Sequence, residues 1–166
     1  ITRFIENKLG LKVNAEKSKI TRLNKIKYLG FGYWKDNKTN QWKARVHETS
    51  FKRFKDKIKK LTTRKWSVSL EYRIKKINEV TRGWINYFKI ASMKIKLKRF
   101  SEHLRTRLRI ICWKMWKVPK KRQWALRKMG IVKDLARLTS YCGNRYYFVA
   151  TKTCLVRAIT KERLSK

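Results

Sequence analysis

Ten carboxylates are spread along 166 residues: Glu6, Glu16, Asp36, Glu48, Asp56, Glu71, Glu79, Glu102, Asp134 and Glu162. Two-metal chemistry needs a local pair of such groups, and no two of these are adjacent or one residue apart. Glu71 and Glu79 fall on one helical segment but lie about two turns apart. A Cys–His pair fails for a similar reason. His103 and Cys112 are nine residues apart, ~900° of helical rotation, and so face opposite ways. No phosphate-cradling glycine loop is present. Cys112, Cys142 and Cys154, at spacings of 30 and 12, match neither a disulfide framework nor a zinc pattern. They and the isolated His47 are expected to be structural, the thiols buried in a reducing cytoplasm. No catalytic residue, metal ligand or cofactor is therefore expected within this chain.

The chain is rich in cations instead. Lysine and arginine number 47 against the ten acids, a formal net charge of +37. Such a charge repels itself in a folded chain unless a polyanion neutralises it. Yet 42% of the residues are hydrophobic and 13% aromatic, so a packed core is expected rather than a disordered basic tail. Apolar runs fall far short of the ~18–20 residues of a membrane span, and no signal peptide is visible. Cations along amphipathic helices, interleaved with aromatic rings, suit a phosphate backbone. The cations displace counterions, while Trp, Tyr and Arg can stack on unpaired bases. A membrane surface attracts basic faces too, but the long aromatic-rich helices and a hairpin point to a globular body.

The elements that must carry these groups follow from periodicity. Residues 2–8 read as the last turns of a helix stopped by Gly10, Leu11–Val13 as a short strand, and Asn14–Ser18 as a polar turn. Lys27–Trp34 and Gln41–Val46 flank turn residues Asp36–Asn40 and read as a β-hairpin. Gly30 and Gly32 within it permit a bulge or a close approach. The period then becomes helical. Ser50 is placed to cap a helix whose Phe51, Phe54, Ile58 and Leu61 share one face. Lys52, Arg53, Lys55, Lys57, Lys59 and Lys60 occupy its other faces. Ser69 caps the next helix, with Glu71 in its first turn and a stripe of Leu70, Ile74, Ile77, Thr81, Trp84 and Phe88. Gly83 inside it costs ~1 kcal/mol against alanine, which predicts close packing or a break. A third helix, roughly Met93–Trp116, turns Leu97, Phe100, Leu104, Leu108, Ile111 and Met115 inward. Its other faces carry Lys94, Lys96, Lys98, Arg99, Arg105, Arg107, Arg109 and Lys114, and Pro119 lies beyond its end. Shorter helices are expected at 122–129, 132–141 and 152–164, with stops at Gly130 and Gly143. Trp113, Trp116, Trp124, Tyr146 and Tyr147 fall between or outside the stripes, where core packing and base stacking are both open. The expected fold class is mainly α, with a small β-hairpin at the amino-terminal end.

One run is specific: Arg73-Ile-Lys-Lys-Ile-Asn-Glu-Val-Thr-Arg-Gly-Trp-Ile-Asn-Tyr-Phe88. It resembles the maturase-specific region (domain X, the thumb) of reverse transcriptases encoded by bacterial group II introns. That family carries R-G-W-x-N-Y-F, matched by Arg82, Gly83, Trp84, Asn86, Tyr87 and Phe88. The downstream Arg105-x-Arg107-Leu108-Arg109, Trp113-Lys114-x-Trp116-Lys117 and Lys121-Arg122 resemble the same region. Upstream, Leu11-Lys12-Val13-Asn14, Lys17-Ser18-Lys19 and Tyr28-Leu29-Gly30-Phe31 resemble the last blocks of the polymerase palm.

The resemblance implies a division into residues 1–46, a carboxy-terminal remnant of a palm, and 47–166, a helical thumb or maturase domain with its motif core at 66–122. It implies a partner, group II intron RNA, which the protein helps to fold for splicing and mobility in a cytoplasmic ribonucleoprotein. A template–primer duplex is a second implied partner, if the chain is one part of an RNA-directed DNA polymerase. In the family the Tyr-Ala-Asp-Asp motif that holds catalytic Mg2+ precedes the region matched here. Initiator Met is normally removed only before small residues, so a longer reading frame ahead of Ile1 is expected. An in-frame copy of that motif there would support the polymerase reading over a module left by a truncated frame. The family's optional carboxy-terminal nuclease, with its zinc ligands, is not expected. By resemblance the RNA-facing residues are Arg82, Arg105, Arg107, Arg109, Lys114, Lys117, Lys121 and Arg122, while Trp84, Tyr87 and Phe88 pack behind them. Arg82 could instead pair with Glu79 at i, i+3. Lys17 resembles a palm lysine near the incoming nucleotide.

Overall fold

The computed structural model describes residues 2–14, 16 and 21–165. The expected palm lysine, Lys17, and most of the expected turn at 14–18 lie outside the described residues. Helix α1 (Thr2–Leu9) ends at Gly10, whose φ of 62° is the left-handed stop expected of it. Residues 11–13 form no strand. After a turn of 3-10 helix at Leu23–Lys25, strands β1 (Phe31–Lys35) and β2 (Trp42–Val46) form a two-stranded antiparallel hairpin. Phe31 pairs with Val46, and Lys35 with Trp42. The turn is held by Asp36, which accepts from the Lys38 amide, Thr39 Oγ1 and Lys43 Nζ.

The helices follow: α2 (Glu48–Leu61), α3 (Leu70–Phe88), α4 (Lys94–Met115), α5 (Pro119–Lys128), α6 (Lys133–Ser140), α7 (Tyr146–Thr151), α8 (Thr153–Ala158) and α9 (Lys161–Ser165). The architecture is mainly helical behind an amino-terminal hairpin, as the sequence pattern predicts. Some starts and stops differ. The cap of α2 is His47 and not Ser50: its Nδ1 accepts from the Thr49 amide at 3.2 Å, and Glu48 sits in the first turn. Pro119 begins α5 at its first position, where a missing N–H costs nothing, instead of merely trailing α4. The segment expected as one helix over 152–164 is split at Ile159, and α7 ahead of it was not expected. Ser69 caps α3 as expected, its Oγ accepting from the Tyr72 amide at 3.2 Å.

Two cores lie along α4. The first gathers Val46, Phe51, Phe54, Ile58, Ile77, Phe88 and Met93 with Leu108 and Ile111 of α4. Trp84 joins it half-buried, stacked on Phe54 at 4.4 Å between centroids. The hairpin belongs to this core. The Ser92 amide donates to the Ala44 carbonyl at 2.9 Å, and the His47 amide donates to Gly30 at 3.0 Å. Gly30, at φ 83°, lies so close to the helices that a Cβ there would meet Ser50 Oγ at 2.9 Å and Phe88 at 3.2 Å. The second core joins Cys112 and Trp113 to Leu126, Ala136, Val149, Cys154, Leu155 and Ala158.

Serving two cores changes the buried stripe of α4. Leu97, Phe100 and Leu104 in its early turns are half-buried, Leu108 and Ile111 further along are buried as expected, and its last turn presents Cys112 and Trp113 to the second core. Met115, expected inside, is therefore exposed. Gly83 is also corrected. It interrupts neither α3 nor any packing: a Cβ on it would meet nothing within 4 Å.

Candidate nucleic-acid interface

Helices α2 and α4 wall an open cleft of about 1110 Å³. From α2 come Lys52, Lys55 and Lys59, steps of three and four residues, which is one helical face. From α4 come Lys96, Arg99, His103 and Arg107, again at three and four. The floor is apolar, with Phe51, Ile58, Phe100 and Leu104, and Lys55 Nζ lies 4.7 Å from the Phe51 ring centroid. Glu48 and Asp56 are the acids in the lining, against six lysines and arginines. Two facing rows of cations over an apolar floor concentrate positive potential between them.

The cleft is held at one end by cations of a different kind. Arg107 Nε donates to Thr62 Oγ1 at 2.7 Å, and its Nη2 donates to the Thr62 carbonyl at 3.1 Å and the Lys59 carbonyl at 3.4 Å. Arg73, buried on α3, donates to the carbonyls of Leu61, Thr63 and Trp66 and lies 4.9 Å from the Trp66 ring. Lys114 Nζ donates to the Arg64 carbonyl at 2.8 Å. These side chains fix the 62–66 loop against α3 and α4. Partial burial, with the Arg64 charge beside it, pulls the Arg107 pKa below its ordinary value. Arg73 is lowered chiefly by burial. Neither guanidinium loses its charge at ordinary pH.

The same device recurs through the molecule. Arg109 donates to the Ile159 carbonyl at 3.2 and 3.3 Å, just past α8. Arg122 donates to the Trp116 carbonyl at 2.8 Å, just past α4, and to Ser140 at the end of α6 at 3.4 Å. Arg163 donates to the Met129 carbonyl, past α5, and to Ala158 at the end of α8. A chain with few carboxylates satisfies its inward arginines with the orphan carbonyls at helix C-termini, where the helix dipole is negative.

This sorts the residues expected to face RNA. Arg82, Lys114, Lys117 and Lys121 are exposed, and Arg105 is half-buried. Arg107 lines the cleft but spends its Nε and Nη2 on the loop. Arg109 and Arg122 are corrections. They are 8% and 4% exposed, their donors point at backbone carbonyls, and they sit where the second core needs caps. Glu79 pairs with Lys76 at 2.9 Å and not with Arg82. Of the motif residues, Phe88 is buried and Trp84 half-buried, while Asn86 and Tyr87 are exposed. Tyr87 nevertheless ties α3 to the hairpin, its hydroxyl donating to the Leu29 carbonyl at 3.0 Å. Among the rings left open between core and stacking, Trp113 is fully buried, while Trp124 and Tyr147 are 62% and 68% exposed. The cations of the cleft other than Arg107 were not singled out, because no motif marks them. Their signal is the matched three-and-four spacing on two helices.

Among the described residues no helix is long and apolar enough to cross a membrane, and no three His, Cys, Asp or Glu side chains gather where they could hold a metal ion. No curated protein matches the chain. Residues 51–130 match the family model described as group II intron, maturase-specific domain. The match runs from the first buried residue of α2 through α3, α4 and α5 to Gly130. From Phe51 onward, the helices on both sides of the basic cleft thus lie within the stretch that matches the group II intron, maturase-specific domain.

Proposed function

We propose that the cleft between α2 and α4 grips the RNA of a group II intron, and that this grip is how the domain assists splicing. The observation that carries the reading is the pair of facing cation rows: six lysines and arginines at helical spacing on two walls of one cleft. The family match supports a group II intron as the source of the RNA, and the net charge of +37 supports long-range attraction to it. The same cations would hold a template–primer duplex if the domain works beside a polymerase, as the resemblance of its early residues implies.

Counterion release gives the test. Phosphate contacts from the five cleft cations other than Arg107 predict that log affinity falls with log salt at a slope of about −4.5 for a duplex, roughly 500-fold between 50 and 200 mM. Affinity of the purified chain for a structured intron RNA, measured across that range, checks it. A flat profile would contradict the reading.

A further inference from the structure

Where the cleft ends, a second and smaller opening begins, and Arg107 belongs to both. It has a volume of about 570 Å³ and lies between the 62–64 loop and the start of α7. Its cations are Arg64, Arg107 and Arg145, its aromatic rings are Tyr146, Tyr147 and Phe148, and no carboxylate lines it. The Arg64 guanidinium lies 4.9 Å from the Tyr146 ring centroid, and Lys152 Nζ lies 4.4 Å from that of Phe148. Tyr147 is 68% exposed although its neighbours Val149 and Ala150 are fully buried. A large ring held outside the core by a firmly seated segment presents its face to something other than the protein.

We infer that this notch takes a single unpaired nucleotide of the RNA lying in the cleft, stacking its base on Tyr147 and Tyr146 and its phosphate against Arg64 and Arg145. The inference rests on the cleft reading and deepens it. Three points favour an extruded nucleotide over continued duplex. The volume lies within the ~300–1,000 Å³ of small-ligand sites and is far too small for a base-paired stem. Rings offer a π-face, which bases in a duplex already share with their neighbours and unpaired bases do not. Arginine serves both requirements, since it binds phosphate through its fork and stacks through its plane. Backbone contacts along the cleft would then hold any stem, while the notch selects stems that carry a bulge or a frayed end.

The test compares two RNA hairpins of equal length, one fully paired and one with a single bulged uridine, bound to the full chain at fixed salt. The bulged RNA is expected to bind about tenfold tighter. Tyr147→Ala should abolish that preference and leave affinity for the paired hairpin unchanged, while Tyr147→Phe should keep it. Equal affinity of the wild-type chain for both RNAs would overturn the notch and leave the cleft standing. So would a preference that survives in Tyr147→Ala. Failure to bind either hairpin would overturn the cleft, and the notch with it.

Discussion

The Arg122 guanidinium lies 4.5 Å from the centroid of the Trp113 ring while its Nε donates to the Trp116 carbonyl at 2.8 Å. One buried cation thus stacks on the centre of the second core and closes the end of α4. Trp113 in turn donates its indole N–H to the Gly143 carbonyl at 3.0 Å. The pair joins α4, α5 and the loop after α6 around one fully buried ring.

Removing that cation should be a folding defect before it is a binding defect. Arg122→Ala loses a desolvated cation–π contact and leaves two helix-end carbonyls unpaired, about 2–4 kcal/mol together. The neighbouring Lys121→Ala, exposed on α5, should move stability by no more than ~0.5 kcal/mol. Chemical denaturation of both variants checks the contrast, and equal stabilities would show that Arg122 is dispensable to the core.

Much of the fold was legible because apolar spacing is a local property. Phe51, Phe54 and Ile58 mark the face of α2 by themselves, as Ser69 marks the start of α3. The hairpin announced itself through its turn residues. The fate of each arginine was not legible. Arg105, Arg107 and Arg109 all fall outside the predicted apolar stripe, yet one is half-buried, one staples a loop and one is buried. What separates them is the carbonyl each one meets, Thr62 for Arg107 and Ile159 for Arg109, which lie 45 and 50 residues away in sequence. Such distant partners leave no local trace. Arg109 is placed among the RNA-facing residues by resemblance, yet its burial makes its substitution a probe of folding.

Gly83 supplies a test of a position that local rules mark as costly. It lies mid-helix in α3, with open space around the site of a Cβ. Gly83→Ala should therefore stabilise the chain by about 0.5–1 kcal/mol through helix propensity alone. A thermal or denaturant melt reads this directly, and destabilisation would show that the backbone there needs glycine.

Cys112 makes stability depend on alkaline pH. Burial pushes its thiol up to about 11 from an ordinary value of 9.0. The folded state therefore holds this proton more tightly than the unfolded state. The contribution is complete below about pH 9 and is lost as pH rises towards 11. A shift of this size amounts to about 2–3 kcal/mol. Across that window the wild-type chain should lose stability more steeply than Cys112→Ala, whose comparison cancels the titration of the lysines. Parallel profiles for the two would place the thiol in contact with water.

The central claim is that the two cation rows of the cleft, and not the charge of the chain as a whole, meet the RNA. Lys55 and Arg99 face the cleft from opposite walls, whereas Lys133 and Arg137 are exposed on α6 outside its lining. Each pair carries the same two charges, so Lys55→Ala with Arg99→Ala and Lys133→Ala with Arg137→Ala differ only in place. The decisive measurement is the salt dependence of intron RNA affinity for both double variants beside the wild-type chain. The cleft account predicts that the first pair weakens binding and shallows the slope by about two units, while the second leaves the slope near the wild-type value. Equal loss from both pairs would contradict it.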